Sequence, residues 1–314
     1  MAVTVSRALE QLIADLAAGG QPTDTDLALF SDLDRAGAEW LRGHWLEIPV
    51  ECRAEIFSRT LELAEDNVEL DFVELGRIGL SDPDAEVRER AVLGLWETGD
   101  RGIGRRLVDL VESDPAPGVR AAAAINLLRF VEALQLGQLP KTDGERAIAA
   151  LRRAFEDAAQ PVEVRAAAIE ALGPCAEPWV GDLIAAAYES GDRELRISAV
   201  RAMGSSALER WVEYIADQLY SGDGEFRLEA AVAAGNLGSE DLVPALGELL
   251  ADEDFDVVFA AVESLGEIGG EEATELLRDY RSNAPDELAE AIDIALEIAG
   301  AGGLFRRFGE MHDN

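Results

Sequence analysis

The sequence predicts an all-α solenoid of paired helices, and three observations carry that expectation. One phrase recurs: Glu86-Val87-Arg88 with Ala91, Gly118-Val119-Arg120 with Ala123, Glu163-Val164-Arg165 with Ala168, Glu194-Leu195-Arg196 with Ala199, Glu225-Phe226-Arg227 with Ala230, and Asp256-Val257-Val258 with Ala261. These anchors lie 32, 45, 31, 31 and 31 residues apart, the mark of a repeat array. Counted from each anchor, positions +3, +4 and +7 are apolar in all six units, which is one face of a helix. Runs of β-branched residues with period two do not occur, so nothing reads as a strand.

In chain order, Val5 to Ala18 reads as a short helix closed by Gly19-Gly20. Asp24 to Trp45 is a second helical stretch, with Leu27, Phe30, Leu33, Trp40 and Leu41 as its apolar positions. Pro49 opens a third, through Ile56, Phe57, Leu61 and Leu63. The latter two look like a degenerate repeat, so residues 1–66 are expected to cap an array whose first face has no neighbour. Trp40, Trp45 and Phe57 belong to that cap or to a binding patch.

Residues 67–300 hold the regular units. Each second helix opens near an Asp, a good N-cap. Asp82-Pro83 and Asp114-Pro115 place proline near a first turn, where its missing N–H costs little. The +3 alanine predicts close packing, and Gly173, Gly204, Gly235 and Gly266 at +8 predict helix C-termini. First helices carry their own stripes, such as Trp211, Tyr214, Ile215 and Leu219, or Leu242, Leu246, Leu249 and Leu250. The 45-residue interval contains an insertion near 135–144, a loop by composition, which holds the single lysine, Lys141. Pro285 starts the last helix; Gly300 to Gly303 then ends the array. Residues 301–314 are expected to be a flexible tail, with Leu304-Phe-Arg-Arg-Phe308 a candidate docking or self-association segment.

The composite phrase Asp-x-x-Val-Arg-x-x-Ala-x-x-Ala-Leu-Gly-x-x-Gly resembles the HEAT-like repeat, in the short form also found in phycobilin lyases. The resemblance covers roughly Asn67 to Gly300. It implies a right-handed α-α superhelix, armadillo-like, of about seven to eight helical pairs. It also implies an Arg–Asp ladder along neighbouring second helices, with Arg88, Arg120, Arg165, Arg196 and Arg227 as rungs and Val258 ending it. In the lyase branch two related subunits handle a chromophore in a concave surface; no residue here ties to bilin binding. Another HEAT-like class holds a di-iron centre through His-Glu pairs, and this sequence contains no such pair.

The formal net charge is −36 at pH 7. A nucleic-acid backbone or an anionic membrane needs clustered Lys and Arg, so both are disfavoured as partners, while a basic protein partner is not. Cys52 and Cys175 sit far apart in helical regions and read as buried thiols of a cytoplasmic protein. Met1 to Gly20 carries Glu10 and Asp15 in an amphipathic stretch unlike a signal peptide, and no run reaches the ~18 apolar residues of a membrane span. His44 and His312 have no second ligand at metal spacing. Gly99 to Gly104 is an inter-repeat turn, not a phosphate loop. Glu271-Glu272 and Asp252-Glu253-Asp254 suit helix N-termini, and Ca²⁺-loop spacing is lacking. Catalytic, cofactor and metal sites are therefore not expected.

Solenoids bind partners on the concave face lined by second helices. Helical geometry puts positions +2, +5 and +9 opposite the core stripe. The candidate contact residues are Arg90, Leu93, Glu97, Ile125 and Arg129 in the early repeats, and Glu170, Arg201, Glu229, Val232 and Glu263 in the later ones. The predicted function is a non-catalytic protein–protein interaction scaffold. The alternative is an accessory protein or enzyme handling a chromophore or metal.

Overall fold

The computed structural model describes residues 6–309, with side chains through residue 300. The chain divides into two compact units, Met1–Ala171 and Leu172–Asn314. Both are built from helices, and no strand occurs among the described residues.

The first unit opens with α1 (Arg7–Ala17), α2 (Asp24–Leu27) and α3 (Arg35–His44), joined by 3₁₀ turns at Ala28–Phe30 and Trp45–Glu47. Then follow α4 (Val50–Asp66), α5 (Val73–Gly79), α6 (Ala85–Leu93), α7 (Arg101–Ser113), α8 (Pro117–Asn126), α9 (Leu128–Gln135), α10 (Lys141–Glu156) and α11 (Val162–Leu172). Trp45 and Phe57 are buried and meet edge to face at 5.8 Å, so both belong to the core of the cap. Trp40 is half-buried and stacks on His44 at 4.1 Å.

The expected loop at 135–144 is narrower than the sequence suggested, running over residues 136–140 between two helices. The extra residues lengthen the repeat by adding α9 after a joint at Leu127 and by starting α10 at Lys141, leaving a short connection between Gln135 and Lys141. Gly137, at φ 68°, and Pro140 keep the connection out of the helices, while Gly144 is taken into the first turn of α10.

The second unit contains α12 (Pro178–Glu189), α13 (Arg193–Ser205), α14 (Val212–Leu219), α15 (Gly224–Leu237), α16 (Val243–Leu249), α17 (Phe255–Ile268), α18 (Gly270–Arg281) and α19 (Ala289–Gly309). Side chains of Asp192, Asp223 and Asp254 accept from the first-turn amides of α13, α15 and α17, as the Asp positions predict. Helix α19 continues through Gly300–Gly303 to Gly309, past the expected break. Residues 310–314 of the expected tail lie outside the described residues.

All six +3 alanines have no accessible surface. Of the +8 glycines Gly173 directly follows a helix end, whereas the other three are not C-caps. Gly204, Gly235 and Gly266 lie inside the last turns of α13, α15 and α17, and each faces the +6 residue of the next second helix. A Cβ on Gly204 would stand 2.6 Å from Ala233 Cα, on Gly235 3.0 Å from Ser264 Cα, and on Gly266 2.8 Å from Ala295 Cα. Gly173, just beyond α11, would meet Ala202 in the same way. The left-handed C-cap belongs instead to Gly238, with φ 70°.

Candidate partner-binding surfaces

The ladder residues set the exposed row, so they come first. Arg88 donates from Nε and Nη2 to the two oxygens of Asp114, each at 2.8 Å, and from Nη1 to the Asp82 carbonyl at 2.9 Å. Arg227 repeats this with Asp252 at 2.7 and 2.9 Å and the Ser221 carbonyl at 3.0 Å. Each arginine thus ties its own entry turn to the next repeat through a bidentate charged pair. Burial alone would raise the Asp114 carboxyl, but Arg88 and the Ala116 amide hold it below the ordinary value. The hydrogen bond from Arg227 lowers Asp252 likewise.

The structure adds a rung before the expected first one. Arg53 on α4 donates to Asp82 at 2.8 and 3.1 Å, and Trp45 Nε1 donates to the same carboxylate at 2.7 Å. Three expected rungs are not Arg–Asp pairs. Arg120 donates to Gln160 Oε1 at 3.1 Å; Arg165 donates to the Phe155 carbonyl at 3.0 Å and lies over that ring; Arg196 lies 5.4 Å from the Tyr188 ring centre and 4.8 Å from that of Phe226. The acceptor stands six residues before the next anchor. There the sequence has Asp82, Asp114 and Asp252, but Ala159, Ser190 and Ser221 in the other repeats. Where the carboxylate is missing, aromatic faces take the charge of Arg165 and Arg196, and the Gln160 side-chain oxygen accepts from Arg120.

Positions +5 and +9 line the exposed side of the second helices, whereas +2 does not. Ala122, Ser198 and Ala260 at +2 are buried, because that direction faces the preceding second helix. Arg90 shows the same geometry: its Nη1 donates to the Ala54 carbonyl at 3.2 Å and to Ser58 Oγ at 2.6 Å on α4, while Nη2 reaches Glu86 at 2.6 Å. In the first unit Leu93, Glu97 and Arg129 are exposed, and Ile125 and Glu170 are half-buried.

In the second unit Arg201 pairs with Glu229 at 2.8 and 2.5 Å, and Val232 and Glu263 are exposed. Desolvation, and the charge of Glu263, push the Glu267 carboxyl up. Sequence reasoning missed the end of this row. Ile294 and Ile298 on α19 stand one 31-residue period beyond Glu263 and Glu267 and are 51% and 46% exposed. Phe255 and Phe259, one turn apart on α17, are 51% and 37% exposed. Carrying the +5 and +9 spacing one repeat further would have found the isoleucines. From Ser239 to Gly300 the only cations are Arg278 and Arg281, and Arg281 is paired with Asp293 at 2.8 Å. The exposed row of this unit is therefore apolar and acidic.

The first unit also holds a cavity of about 290 Å³ between α4, the 67–72 connection, α5 and the residues after α6. Helix α6 ends at +5, whereas α13, α15 and α17 reach +9 or +10. Leu95 and Trp96 thus leave the helix and wall the cavity with Phe57, Leu61 and Phe72. Both cysteines are free and buried, and burial raises both thiols. Among the described residues no group of three or more His, Cys, Asp or Glu could hold a metal ion, and no helix is long and apolar enough to cross a membrane.

The family model for HEAT repeats matches residues 77–173 and 208–297, more than half of the chain. The chain belongs to the HEAT-repeat family, and its fold class is the all-α superhelical repeat that the sequence predicted. Among solved structures it is similar to the complex of CpcE and CpcF of phycocyanin lyase from Nostoc sp. PCC7120, at 18% identity and TM-score 0.57, covering 90% of this chain and 96% of that one. It also matches human deoxyhypusine hydroxylase in complex with glycerol, at 19% identity and TM-score 0.37, covering 93% and 96%. No curated protein sequence matches the chain.

Proposed function

We propose that the protein is a non-catalytic interaction scaffold of the cytoplasm that holds a basic, amphipathic segment of a partner protein along its second helices. The observation that carries this reading is the exposed row of the second unit, where Val232, Phe259, Ile294 and Ile298 stand among Glu263, Glu267 and Glu297. Exposed apolar residues among uncompensated acids suit a helix with an apolar face and a cationic rim. Among the described residues the imidazole and the thiols are engaged or enclosed: His44 Nδ1 lies 2.8 Å from the Trp40 carbonyl, and both cysteines are buried. Two free buried thiols also suit a reducing compartment.

The test is capture of partners from native lysate by wild type and by a Glu263→Lys/Glu267→Lys variant, with a second variant reversing Arg129 and Arg201. Arg90 is left intact because it clamps α6 to α4. The expected outcome is a partner lost on reversing the acids and kept on reversing the arginines. A partner set unchanged in both variants overturns the reading. So does a visible chromophore or bound metal in natively purified protein, which would support the accessory-enzyme alternative.

A further inference from the structure

The short α6 leaves a feature that the scaffold reading does not use. In the second unit the seam between successive second helices is closed by glycine against alanine or serine. In the first unit the corresponding +8 residue is Trp96, released from the helix after the Gly94 cap and 51% exposed. Beneath it Leu95 rests on α5 where Gly76 leaves room, since a Cβ there would stand 2.6 Å from Leu95 Cδ2. Phe57 and Ala91 form buried wall and Leu61 and Phe72 are half-buried. The result is a socket of about 290 Å³ with apolar walls, a polar mouth at Thr60, Asp71, Glu97 and Thr98, and Trp96 at its edge.

The rim is acidic. Asp71 and Glu97 line the socket, and the adjoining stretch carries Glu62, Glu65, Asp66 and Glu69, all exposed. No Lys or Arg occurs between Arg59 and Arg77. At the far end of the stretch Arg77 is taken up by Glu74 at 2.9 Å and Asp100 at 2.7 Å. The volume is at the lower limit, roughly 300 Å³, of pockets that enclose small molecules. An exposed tryptophan at the edge and Val68 at 94% exposure extend the apolar surface outside it. A single side chain entering the socket, with its neighbours lying over the rim, uses both features.

We infer that this socket is an anchor site for one aromatic or long aliphatic side chain of a partner protein segment, flanked by Arg or Lys that pair with Asp71, Glu97 and the α4 acids. The site rests on the interaction-scaffold function and adds a specific recognition element to it. Buried aromatic anchors dominate such contacts, and the charged rim sets selectivity.

The test is a peptide array in which a Phe, Trp or Leu anchor is flanked by Arg/Lys, by Ala/Ser or by Glu/Asp, probed with the full-length protein. One member reproduces residues 303–309 of this chain. Binding is expected only to basic-flanked anchors, and Trp96→Ala and Glu97→Lys should each weaken it by roughly tenfold or more. Trp96→Phe should retain it, and unchanged melting of all three variants shows that the fold is intact. Absence of signal, signal independent of flanking charge, or signal unaffected by both variants overturns the assignment. Preference for the 303–309 peptide above all others would make the occupant a second copy of this chain and would also overturn it. Partners captured from lysate without any array signal would sink the socket alone and leave the scaffold standing.

Discussion

Arg88 and Asp114 show why the anchor arginine recurs. Their side chains are 9% and 4% exposed, and every polar atom of the pair has a geometric role: the carboxylate takes two N–H bonds from Arg88 and one from the Ala116 amide, while Nη1 closes the entry turn. Removing one partner strands the other charge in the interior. Arg88→Ala should cost about 3–5 kcal/mol, whereas replacing both partners by apolar residues of similar size should cost much less. Urea unfolding of the two variants checks this. The pair also has a pH signature of defined sign. The folded Asp114 carboxyl lies below its unfolded value, so its contribution is fully present above about pH 4–5 and is lost as pH falls through the folded value. The stability difference between wild type and Arg88→Met should therefore be constant at neutral pH and shrink in acid. A difference that stays constant on acidification would mean that the arginine does not control this carboxyl.

At the scale of the element, the close seam between second helices depends on what the glycine lacks. Gly204→Ala would put a methyl 2.6 Å from the Ala233 backbone, which cannot turn aside as a flexible side chain could. The two helices must separate, at about 1–3 kcal/mol. At Gly43, within α3, an added methyl would meet nothing within 4 Å, so Gly43→Ala should instead stabilise by about 0.5–1 kcal/mol. Thermal melting should move in opposite directions for the two. The same pair explains what was legible in the sequence. The 31-residue period and the +3 alanines fixed the pairing of helices, because both reflect contacts repeated in every unit. The role of the +8 glycines was not legible, since a glycine near a helix end reads as a cap until its neighbour is known. Arg53 was hidden for a related reason: Ile56, not alanine, follows it at +3, so the first rung does not carry the repeat phrase. The exposed rows were half legible. Counting turns located +5 and +9, but it could not tell that +2 faces a neighbouring helix rather than solvent. Trp96 escaped notice because the period places it inside a helix that in fact stops three residues earlier.

For the whole molecule the controlling quantity is charge. Acidic residues number 63 and Lys plus Arg 27, so even with every cation paired most of the acids remain uncompensated. Many cations are already committed within the fold, to Asp114 and Asp252 inside and to Asp143, Asp223 and Asp293 on the surface. Packed helices lie about 8–10 Å apart, so like charges on successive repeats sit near one Debye length at physiological salt, about 8 Å. Added salt therefore acts on two opposing terms. It weakens exposed pairs such as Arg193 with Asp223 and Glu225, each worth about 0–1 kcal/mol. It also screens repulsion among the unpaired acids, which outnumber those pairs. The buried ladder is screened far less than either. Repulsion should dominate, so raising ionic strength from low to physiological should raise the thermal midpoint, and Glu263→Gln/Glu267→Gln should reduce that salt gain. A midpoint that falls with salt would show that the exposed ion pairs outweigh the net charge. A salt gain unchanged by the double substitution would place the repulsion elsewhere than on the acidic row of the second unit.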